Sequence, residues 1–364
     1  MHLNLIFKPA SLGLFCLGII TVVFLLIQTR NFLVTIFGLP QNETELHFAL
    51  VACGRNYTAS SLNTLKSAVL FTPDGDVLKF HVFTDRRETF EEWREQLPVK
   101  YRRKIRLYLY NISEEEKSLS FTNEKEMRSL PCAMQRLFYS ESLRHINHVI
   151  HVDTDMIFLH DIRALHDEGF AAMNKSHVTT MSQNGPRDRL NPWYNKKRYI
   201  RMPFYPPVGL QSGLMWMNLT RMRMTRFQQL WTEAFVQYNT EFYLHDQDIL
   251  NAAFAAKPEM VKMLTTCDWH YWLAYCLSEA YCTPRKVYVL HGINSSFHWK
   301  SCYPFSTVWD AFEKFSLDQD IGSHLLEPLL KALGNQTKED QNKNCGKCIN
   351  TPTEALVGGL RTLI

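Results

Sequence analysis

The sequence predicts an α/β fold with a mostly parallel central sheet, because runs typical of strands alternate with runs typical of helices. Residues 47–53, 78–84 and 104–112 are apolar or alternate between apolar and polar, as strands do. Between them, residues 60–71 and 86–97 carry apolar side chains at helical spacing. Strands and helices in this order form doubly wound sheets, which bind ligands at the carboxyl ends of their strands. The residues that end each strand are therefore the candidate functional residues.

The remaining elements are taken in chain order. A helix that begins at a proline is predicted over residues 131–146, followed by a short buried strand over 149–152. Beyond it we expect a long surface loop at 184–207, a buried strand at 209–219, helices at 227–235 and 247–254, and a strand at 287–290. We expect residues 331–364 to be a polar C-terminal tail.

Composition excludes several classes of protein. The chain has 364 residues, of which 46% are hydrophobic and 21% charged, and these are ordinary globular values. A formal net charge of +4 is too small to indicate a nucleic-acid partner, so we expect none.

The N-terminus predicts a membrane anchor. Residues 9–29 contain no charged side chain, and this run is long enough to cross a bilayer core of about 30 Å. The alternative, a cleaved signal peptide, has an apolar region of only about 7–15 residues. We therefore expect a cytoplasmic tail at 1–8, a signal anchor at 9–29, a stem at 30–46 and a catalytic domain at 47–330.

Sequons and cysteines indicate that the body of the protein lies in the lumen of the secretory pathway. Seven Asn-x-Ser/Thr triplets are spread over the chain, at Asn42, Asn56, Asn111, Asn174, Asn218, Asn294 and Asn335. Eight cysteines lie outside the anchor, an even number that suits disulfides. Cys345 and Cys348 also have the spacing of a zinc or redox motif, but a structural disulfide is favoured. We expect a single-pass type II protein of the Golgi or endoplasmic reticulum membrane.

The strongest chemical motif is Asp153-Thr154-Asp155, which directly follows the strand at 149–152. Two carboxylates at positions i and i+2 of an extended chain project to the same side and can share one divalent cation. The alternative is a helix cap or a solvated turn. His291 ends the strand at 287–290 and is a candidate third ligand, which shifts the preference towards Mn²⁺. Its alternative is a hydrogen-bonded core histidine.

Two further groups of residues are candidates for sugar recognition. Asp246 and Gln247 lie at the start of a predicted helix, where they can present a carboxylate and an amide to sugar hydroxyls. The alternative is that Asp246 or Asp248 caps this helix. The aromatic residues Trp269, Tyr271 and Trp272 are candidates for an acceptor platform, although aromatic residues more often belong to a core.

These motifs, in this order, resemble glycosyltransferase family 8, whose members are retaining, metal-dependent transferases that use UDP-sugars on a glycosyltransferase-A (Rossmann-like) fold. The similarity is closest to the glucoside xylosyltransferases, and it covers residues 47–330. It is carried by LVACG at 50–54, PCAMQRLF at 131–138, HVDTD at 151–155, SGLMWMN at 212–218, TRM at 220–222 and HDQDILN at 245–251.

The resemblance implies roles for individual residues. It makes Asp153, Asp155 and His291 the Mn²⁺ ligands and Asp246 and Gln247 the catalytic residues that face the donor sugar. It also implies a set of donor-binding residues, namely Ala52, Cys53, Arg136, Thr154, Gln211, Ser212 and Gly292. The sequence departs from the family at two points: Gln211 replaces the usual Asn, and no Lys-Pro-Trp follows Gly292.

The resemblance further implies transfer of xylose from UDP-xylose, in α-1,3 linkage, to O-linked glucose on EGF-like repeats such as those of Notch. Retention of configuration leaves two mechanisms open: front-face attack, with Gln247 stabilising the reacting centre, or a covalent intermediate on Asp246. If UDP-xylose is the donor, bulky side chains such as Trp216 or Trp269 are expected to close the space at C6.

Other functions compete with this one. A xyloside xylosyltransferase or a glucosyl- or galactosyltransferase of the same family keeps every motif. A two-metal phosphohydrolase needs further ligands at the strand ends. A non-catalytic luminal glycan-binding protein accounts for the anchor, sequons and aromatic residues, but not for the acidic motifs.

Overall fold

The structure consists of two β-sheets with helices packed around them. The computed structural model describes residues 44–112, 130–185, 194, 202–238, 244–276, 282–299, 302–335 and 351–364. The strands are β1 (Thr44–Ala52), β2 (Asp76–Thr84), β3 (Ile105–Tyr110), β4 (His148–Val152), β5 (Met156–Phe158), β6 (Thr179–Gln183), β7 (Leu210–Asn218), β8 (Val261–Leu264), β9 (Tyr271–Trp272) and β10 (Val289–His291).

Helices connect and cover these strands. They are α1 (Gly54–Leu70), α2 (Arg87–Gln96), α3 (Val99–Arg102), α4 (Leu130–Met134), α5 (Tyr139–Ser142), α6 (Ile162–Ala171), α7 (Leu219–Met224), α8 (Phe227–Tyr238), α9 (Asp246–Ala256), α10 (Leu273–Cys276), α11 (Tyr303–Lys314), α12 (Glu327–Gly334) and α13 (Thr353–Arg361). Short 3-10 turns occur at Gln135–Phe138, Pro258–Met260 and Ile293–Ser295, and a π-helical turn at Gly322–Leu326.

The central sheet confirms the predicted α/β class. Within the described residues it has seven strands in the order β3-β2-β1-β4-β7-β6-β8. The pairs β1–β4, β2–β3 and β6–β8 are parallel, whereas β7 runs antiparallel to both of its neighbours. This order places the carboxyl ends of β1 and β4 beside the first residues of β7.

A smaller sheet adds the last part of the site. Its strands have the order β5-β10-β9, with β10 antiparallel to β5 and parallel to β9. In this register His291 lies opposite Met156, the residue that follows Asp155. Strand pairing thus brings together residues that are 136 positions apart in the sequence (291 − 155).

The central sheet is buried on both faces, as its continuous apolar runs predict. Along β1, Phe48 and Leu50 belong to one core cluster and Ala49 to another, which is the alternation expected of a strand. The first cluster includes side chains of α1, α11 and α13, and the second includes side chains of α8 and α9.

Two predicted helices differ from the structure. Helix α1 begins at Gly54, six residues before its predicted start at residue 60. The prediction started too late because the first turns of the helix are largely exposed and carry no apolar pattern. The single helix predicted over 131–146 is wrong: α4, a 3-10 turn and α5 follow one another there. All four residues of the 3-10 turn Gln135–Phe138 are buried, which a regular amphipathic helix does not allow.

The C-terminal residues also differ from the sequence prediction. We expected a polar tail at 331–364, and this prediction is wrong for the last residues of the chain. Helix α13 buries apolar side chains in the first core cluster, namely Ala355, Leu356, Val357 and Leu360. The compact unit that contains the sheets extends to Ile364. Residues 336–350 lie outside the described residues, as do Cys345 and Cys348.

The predicted N-terminal segments at 1–8 and 9–29, and the stem up to residue 43, lie outside the described residues. Among the residues that are described, no helix is both long enough and apolar enough to cross a membrane.

The prediction of disulfides is confirmed. Cys53 is bonded to Cys132, and Cys267 to Cys282. Cys276 and Cys302 are also disulfide-bonded. The first of these bonds ties the end of β1 to α4, which directly precedes the 3-10 turn that carries Arg136.

Candidate active site

Two carboxylates and one imidazole converge at the carboxyl end of β4. Asp153 and Asp155 lie between β4 and β5, and His291 ends β10. One ligand atom from each of the three residues lies within 4.8 Å of the other two. His291 Nε2 is 3.2 Å from Asp155 Oδ1 and 3.6 Å from Asp153 Oδ2. Two carboxylate oxygens and one imidazole nitrogen form a ligand set suited to a divalent cation.

The surroundings of this cluster fit a bound ion. Gly213 of β7 faces the cluster, and a Cβ atom at this position would overlap His291 Cε1 and lie 2.7 Å from Asp153 Oδ2. The missing side chain therefore leaves open the space between two of the ligands. Backbone atoms fix the same region, since Asp153 N donates to Gly213 O (2.9 Å) and Gly292 N donates to Asp155 O (2.8 Å).

Two buried histidines each contact one of the candidate ligands. His270 Nε2 is 2.8 Å from His291 Nδ1, and His270 Nδ1 is 3.2 Å from the Ser182 hydroxyl. His151 Nε2 is 3.3 Å from Asp153 Oδ1. Burial lowers the pKa of His270 well below its usual value and, together with the nearby Arg136, lowers the pKa of His151 to about 4. Such contacts to metal ligands orient the ligands and set their tautomers.

Arg136 links the cation site to the helix that carries Asp246. Its Nη2 is 2.9 Å from Asp153 Oδ1, its Nε is 3.3 Å from Asp246 Oδ2, and its Nη1 donates to Ser212 O (3.1 Å). Burial opposes ionisation of Asp153, but the charge of Arg136 and the bond from His151 hold its pKa well below the usual range. Burial raises the pKa of Asp246 to about 6, although Arg136 favours the charged form.

Asp246 and Asp248, both in the first turn of α9, have different partners. Asp248 does not cap the helix; its side chain accepts hydrogen bonds from Leu244 N (2.6 Å), just before the helix, and from the Tyr194 hydroxyl (2.8 Å). Asp246 is thereby left to face Arg136. The side chain of Gln247 accepts a bond from Ser212 N (3.2 Å) and donates to the Tyr194 hydroxyl (3.4 Å).

The remaining donor-binding candidates lie at neighbouring strand ends. Ala52 ends β1, Cys53 lies between β1 and α1, and Thr154 lies between the two aspartates. On β7, the side chain of Gln211 accepts from Gly213 N (2.6 Å), which places its amide beside the cation cluster. Gly292 has a structural reason to be glycine, because a Cβ there would overlap the Phe297 ring. The assignment of these residues to a donor stays a prediction.

The aromatic candidates divide between core and site. Tyr271 is 1% exposed, its ring belongs to the core and its hydroxyl bonds to Thr351 (2.7 Å), so the prediction that it forms an acceptor platform is wrong. Trp269 is half-buried and stacks on Tyr288. Trp272 lies beside His291 on the adjacent strand, and its buried indole nitrogen has no hydrogen-bond partner among the described residues. Trp216 is not a wall of the site, because its indole donates to Leu165 O in the core.

The sequons differ in exposure. Asn56, Asn111, Asn174 and Asn335 are exposed, whereas Asn218 is buried and caps α7 by accepting from Arg221 N (2.9 Å). Asn218 therefore has no room for a glycan in the native fold. Asn42 and the side chain of Asn294 lie outside the described residues.

Sequence reasoning missed several residues that build the site. Gly213 was part of a recognised motif, but nothing in the sequence showed that its missing side chain faces the ligands. His270 carried no signal, because its partner His291 is 21 residues away. Asn251 hydrogen-bonds to both backbone groups of Leu210 and so connects α9 to β7. Its only signal in the sequence was its position in the DQDILN motif.

One alternative finds no support in this geometry. Asp153, Asp155 and His291 are the only group of three or more potential ligands in the part of the chain that the structure describes. Asp246 is paired with Arg136, and Asp248 accepts from Leu244 N and the Tyr194 hydroxyl, so among the described residues these two carboxylates do not form a second metal site.

The fold is similar to that of solved glycosyltransferases. It is a GT-A-like α/β fold with a mostly parallel central sheet. Mouse xyloside xylosyltransferase 1, in its apo form, superimposes with a TM-score of 0.51 at 18% identity, over 69% of this chain and 99% of that one. The galactosyltransferase LgtC, solved with donor and acceptor sugar analogs, gives a TM-score of 0.50 at 19% identity, over 67% of this chain and 86% of that one.

The family follows from the sequence comparison. The pattern of the family described as glycosyl transferase family 8 matches residues 49–295, and the chain belongs to this family of enzymes. It is similar to glucoside xylosyltransferase 1 of Danio rerio, with 32% identity over 345 residues, covering 89% of this chain and 80% of the relative. It is also similar to glucoside xylosyltransferase 2 of Xenopus laevis, with 30% identity, covering 80% of this chain and 70% of the relative.

Proposed function

We propose that this enzyme transfers xylose from UDP-xylose, with retention and in α-1,3 linkage, to O-linked glucose on EGF-like repeats. The observation that carries the proposal is that Arg136 contacts both Asp153 of the Asp153–Asp155–His291 cluster and Asp246 of α9. The chain is also similar in sequence to glucoside xylosyltransferases. This arrangement sets a cation site for a diphosphate beside a carboxylate and an amide suited to a sugar.

The proposed cation is Mn²⁺, held by Asp153, Asp155 and His291. When bound, it supplies Lewis-acid stabilisation of the departing diphosphate. Gly213 leaves room for it, and the buried His270 and His151 orient the ligands. The mixture of carboxylate and imidazole ligands favours Mn²⁺ over Mg²⁺.

The residues of α9 favour front-face transfer within this proposal. Asp246 is paired with Arg136 and buried, so its carboxylate would have to leave that ion pair before it attacked a sugar. Gln247 is neutral and fixed by Ser212 and Tyr194, so it can present its amide to the reacting centre without a change of charge. In this mechanism the departing phosphate accepts the proton of the acceptor hydroxyl.

The proposal includes a location. The anchor at 9–29 and the exposed sequons at Asn56, Asn111, Asn174 and Asn335 support a type II protein of the Golgi or endoplasmic reticulum membrane with a luminal catalytic domain. The observed disulfides are consistent with an oxidising compartment.

The test uses the full chain, purified in detergent, with an O-glucosylated EGF-like repeat as acceptor. UDP-xylose, UDP-glucose and UDP-galactose are compared at equal concentration with Mn²⁺ and with EDTA. We expect transfer from UDP-xylose, its loss in EDTA and its loss in Asp155→Asn, whereas Asp310→Asn on the exposed side of α11 transfers normally. Equal use of UDP-glucose or UDP-galactose would leave a family 8 transferase of different donor specificity, and transfer to a xyloside instead would favour a xyloside xylosyltransferase.

A further inference from the structure

One side chain outside the recognised motifs holds the backbone between the two aspartates. Thr64 lies on α1 and is fully buried. Its hydroxyl donates to Thr154 O (2.8 Å) and accepts from Met156 N (3.2 Å). These are the two peptide groups on either side of Asp155, so a single hydroxyl fixes both bonds that connect this residue to the chain.

Asp155 depends on this support more than the other ligands do. Its side chain is 34% exposed, against 25% for Asp153 and 3% for His291, so fewer packing contacts restrain it. Its own carbonyl accepts from Gly292 N (2.8 Å), one residue beyond His291. The Thr64 hydroxyl therefore helps to fix the residue that links β4 and β10 at the cation site.

The chemistry of the hydroxyl suits this task. A threonine hydroxyl has one hydrogen to donate and lone pairs to accept, so it can satisfy a carbonyl and an amide together. Without it, Thr154 O and Met156 N lose these bonds in a buried place, where unsatisfied backbone groups are unfavourable. The segment is then free to shift towards other partners, and Asp155 shifts with it.

We propose that Thr64 is a positioning residue of the cation site, whose hydroxyl holds Asp155 at the distance from His291 that a divalent ion requires. This inference rests on the proposed function, because it assumes that the cluster binds a cation. It assigns to α1 a part in metal binding, although no side chain of α1 belongs to the cation cluster.

The matched control is one turn along the same helix. Ser67 is also fully buried, and its hydroxyl accepts from Phe158 N (3.0 Å) and donates to Thr64 O (2.8 Å). It supports β5 by one hydrogen bond, at Phe158 N, two residues further along the chain than the Met156 amide that Thr64 holds. Substitution at either position thus removes one buried hydroxyl from α1, but only Thr64 contacts the peptide groups on either side of Asp155.

The test measures Mn²⁺ binding to the full-length protein in the presence of a fixed concentration of UDP, from the electron paramagnetic resonance signal of free Mn²⁺. We expect Thr64→Val to weaken Mn²⁺ binding by ~10–100-fold, as losses of outer contacts to metal ligands do. Thr64→Ser keeps the hydroxyl and should bind like the parent, as should Ser67→Ala. Urea unfolding of all variants identifies general destabilisation, and Thr64→Ala replaces the valine variant if that protein does not fold.

The outcomes are distinct. Parent-like Mn²⁺ binding by folded Thr64→Val, or equal weakening in Ser67→Ala, overturns the role of Thr64 and leaves the proposed function intact. A parent protein that neither binds Mn²⁺ nor transfers sugar overturns the proposed function itself, and this inference with it.

Discussion

Arg136 Nη2 lies 2.9 Å from Asp153 Oδ1, so a candidate cation ligand of the site is also one end of a partly buried ion pair. The same guanidinium reaches Asp246 through Nε and Ser212 O through Nη1. Its contacts are therefore with protein groups on three different elements. Arg136, which the sequence predicted to contact the donor, therefore also connects the end of β4, β7 and the start of α9.

Replacing Arg136 by leucine should destabilise the protein by about 3–5 kcal/mol, because it leaves the buried Asp246 and the partly buried Asp153 without their counter-charge. Arg136→Lys should restore little of this, since one ammonium cannot reproduce a planar fork of donors. Urea unfolding at pH 7 measures the difference. Arg361→Leu is the control: it breaks an exposed pair with Glu354, 3.1 Å away, and should cost no more than about 1 kcal/mol. Equal losses in the two variants would contradict this prediction.

Gly213→Ala should abolish transfer while the protein stays folded. The added Cβ would overlap His291 and crowd Asp153, so the two ligands must separate. Transfer from UDP-xylose and thermal unfolding are measured together. Gly358→Ala, on α13, is the control, because the nearest atom to its Cβ is 3.7 Å away and alanine suits a helix interior. An active Gly213→Ala enzyme would show that the cluster is not the cation site.

Loss of Cys53–Cys132 should destabilise the protein more than loss of Cys267–Cys282. The bonded residues are 79 and 15 positions apart, and loop-closure entropy gives roughly 4.5 and roughly 3 kcal/mol, respectively. Double Cys→Ala variants, unfolded in urea, provide the comparison. The reverse order would indicate that residual structure in the unfolded chain outweighs loop length.

His81 should make the protein sensitive to mild acid. Its ring bonds to His47 (3.0 Å) and the Tyr110 hydroxyl (2.9 Å), and burial lowers its pKa to about 3. The unfolded chain takes up a proton on this imidazole near pH 6.5, so the free energy of unfolding falls as the pH drops below that value. This residue alone should contribute a loss of about 2 kcal/mol between pH 7 and pH 5.

His81→Gln isolates that contribution, since glutamine cannot take up the proton. Urea unfolding at pH 7 and at pH 5 is compared for the variant and the parent, and the variant should lose about 2 kcal/mol less. If both proteins lose the same amount, His81 does not cause the acid sensitivity.

Asn218 should carry no glycan in the folded protein, whereas Asn56, Asn111, Asn174 and Asn335 are accessible. Glycopeptide mass spectrometry of the protein purified from a secretory host checks each site. Removal of Asn218 should affect stability instead, because its side chain caps α7. A glycan on Asn218 of the native protein would contradict its buried position.

The sequence by itself determined the α/β class, the strands that precede the site and the order of the motifs. Residues 47–53 and 149–152 predicted β1 and β4 because strands buried on both faces are continuous apolar runs, a property that is local to the chain. Asp153, Asp155 and His291 were found for the same reason: each follows or ends such a run.

Only the tertiary structure decided which distant residues meet. The cluster depends on the pairing of β10 with β5, and Gly213, His270, Arg136 and Thr64 act through partners that lie 17 to 110 residues away. The short turns at 130–142 and the burial of α13 also escaped prediction, because both are stabilised by packing against the core and not by their own periodicity. Sequence patterns record which side of an element is buried, but not which element covers it.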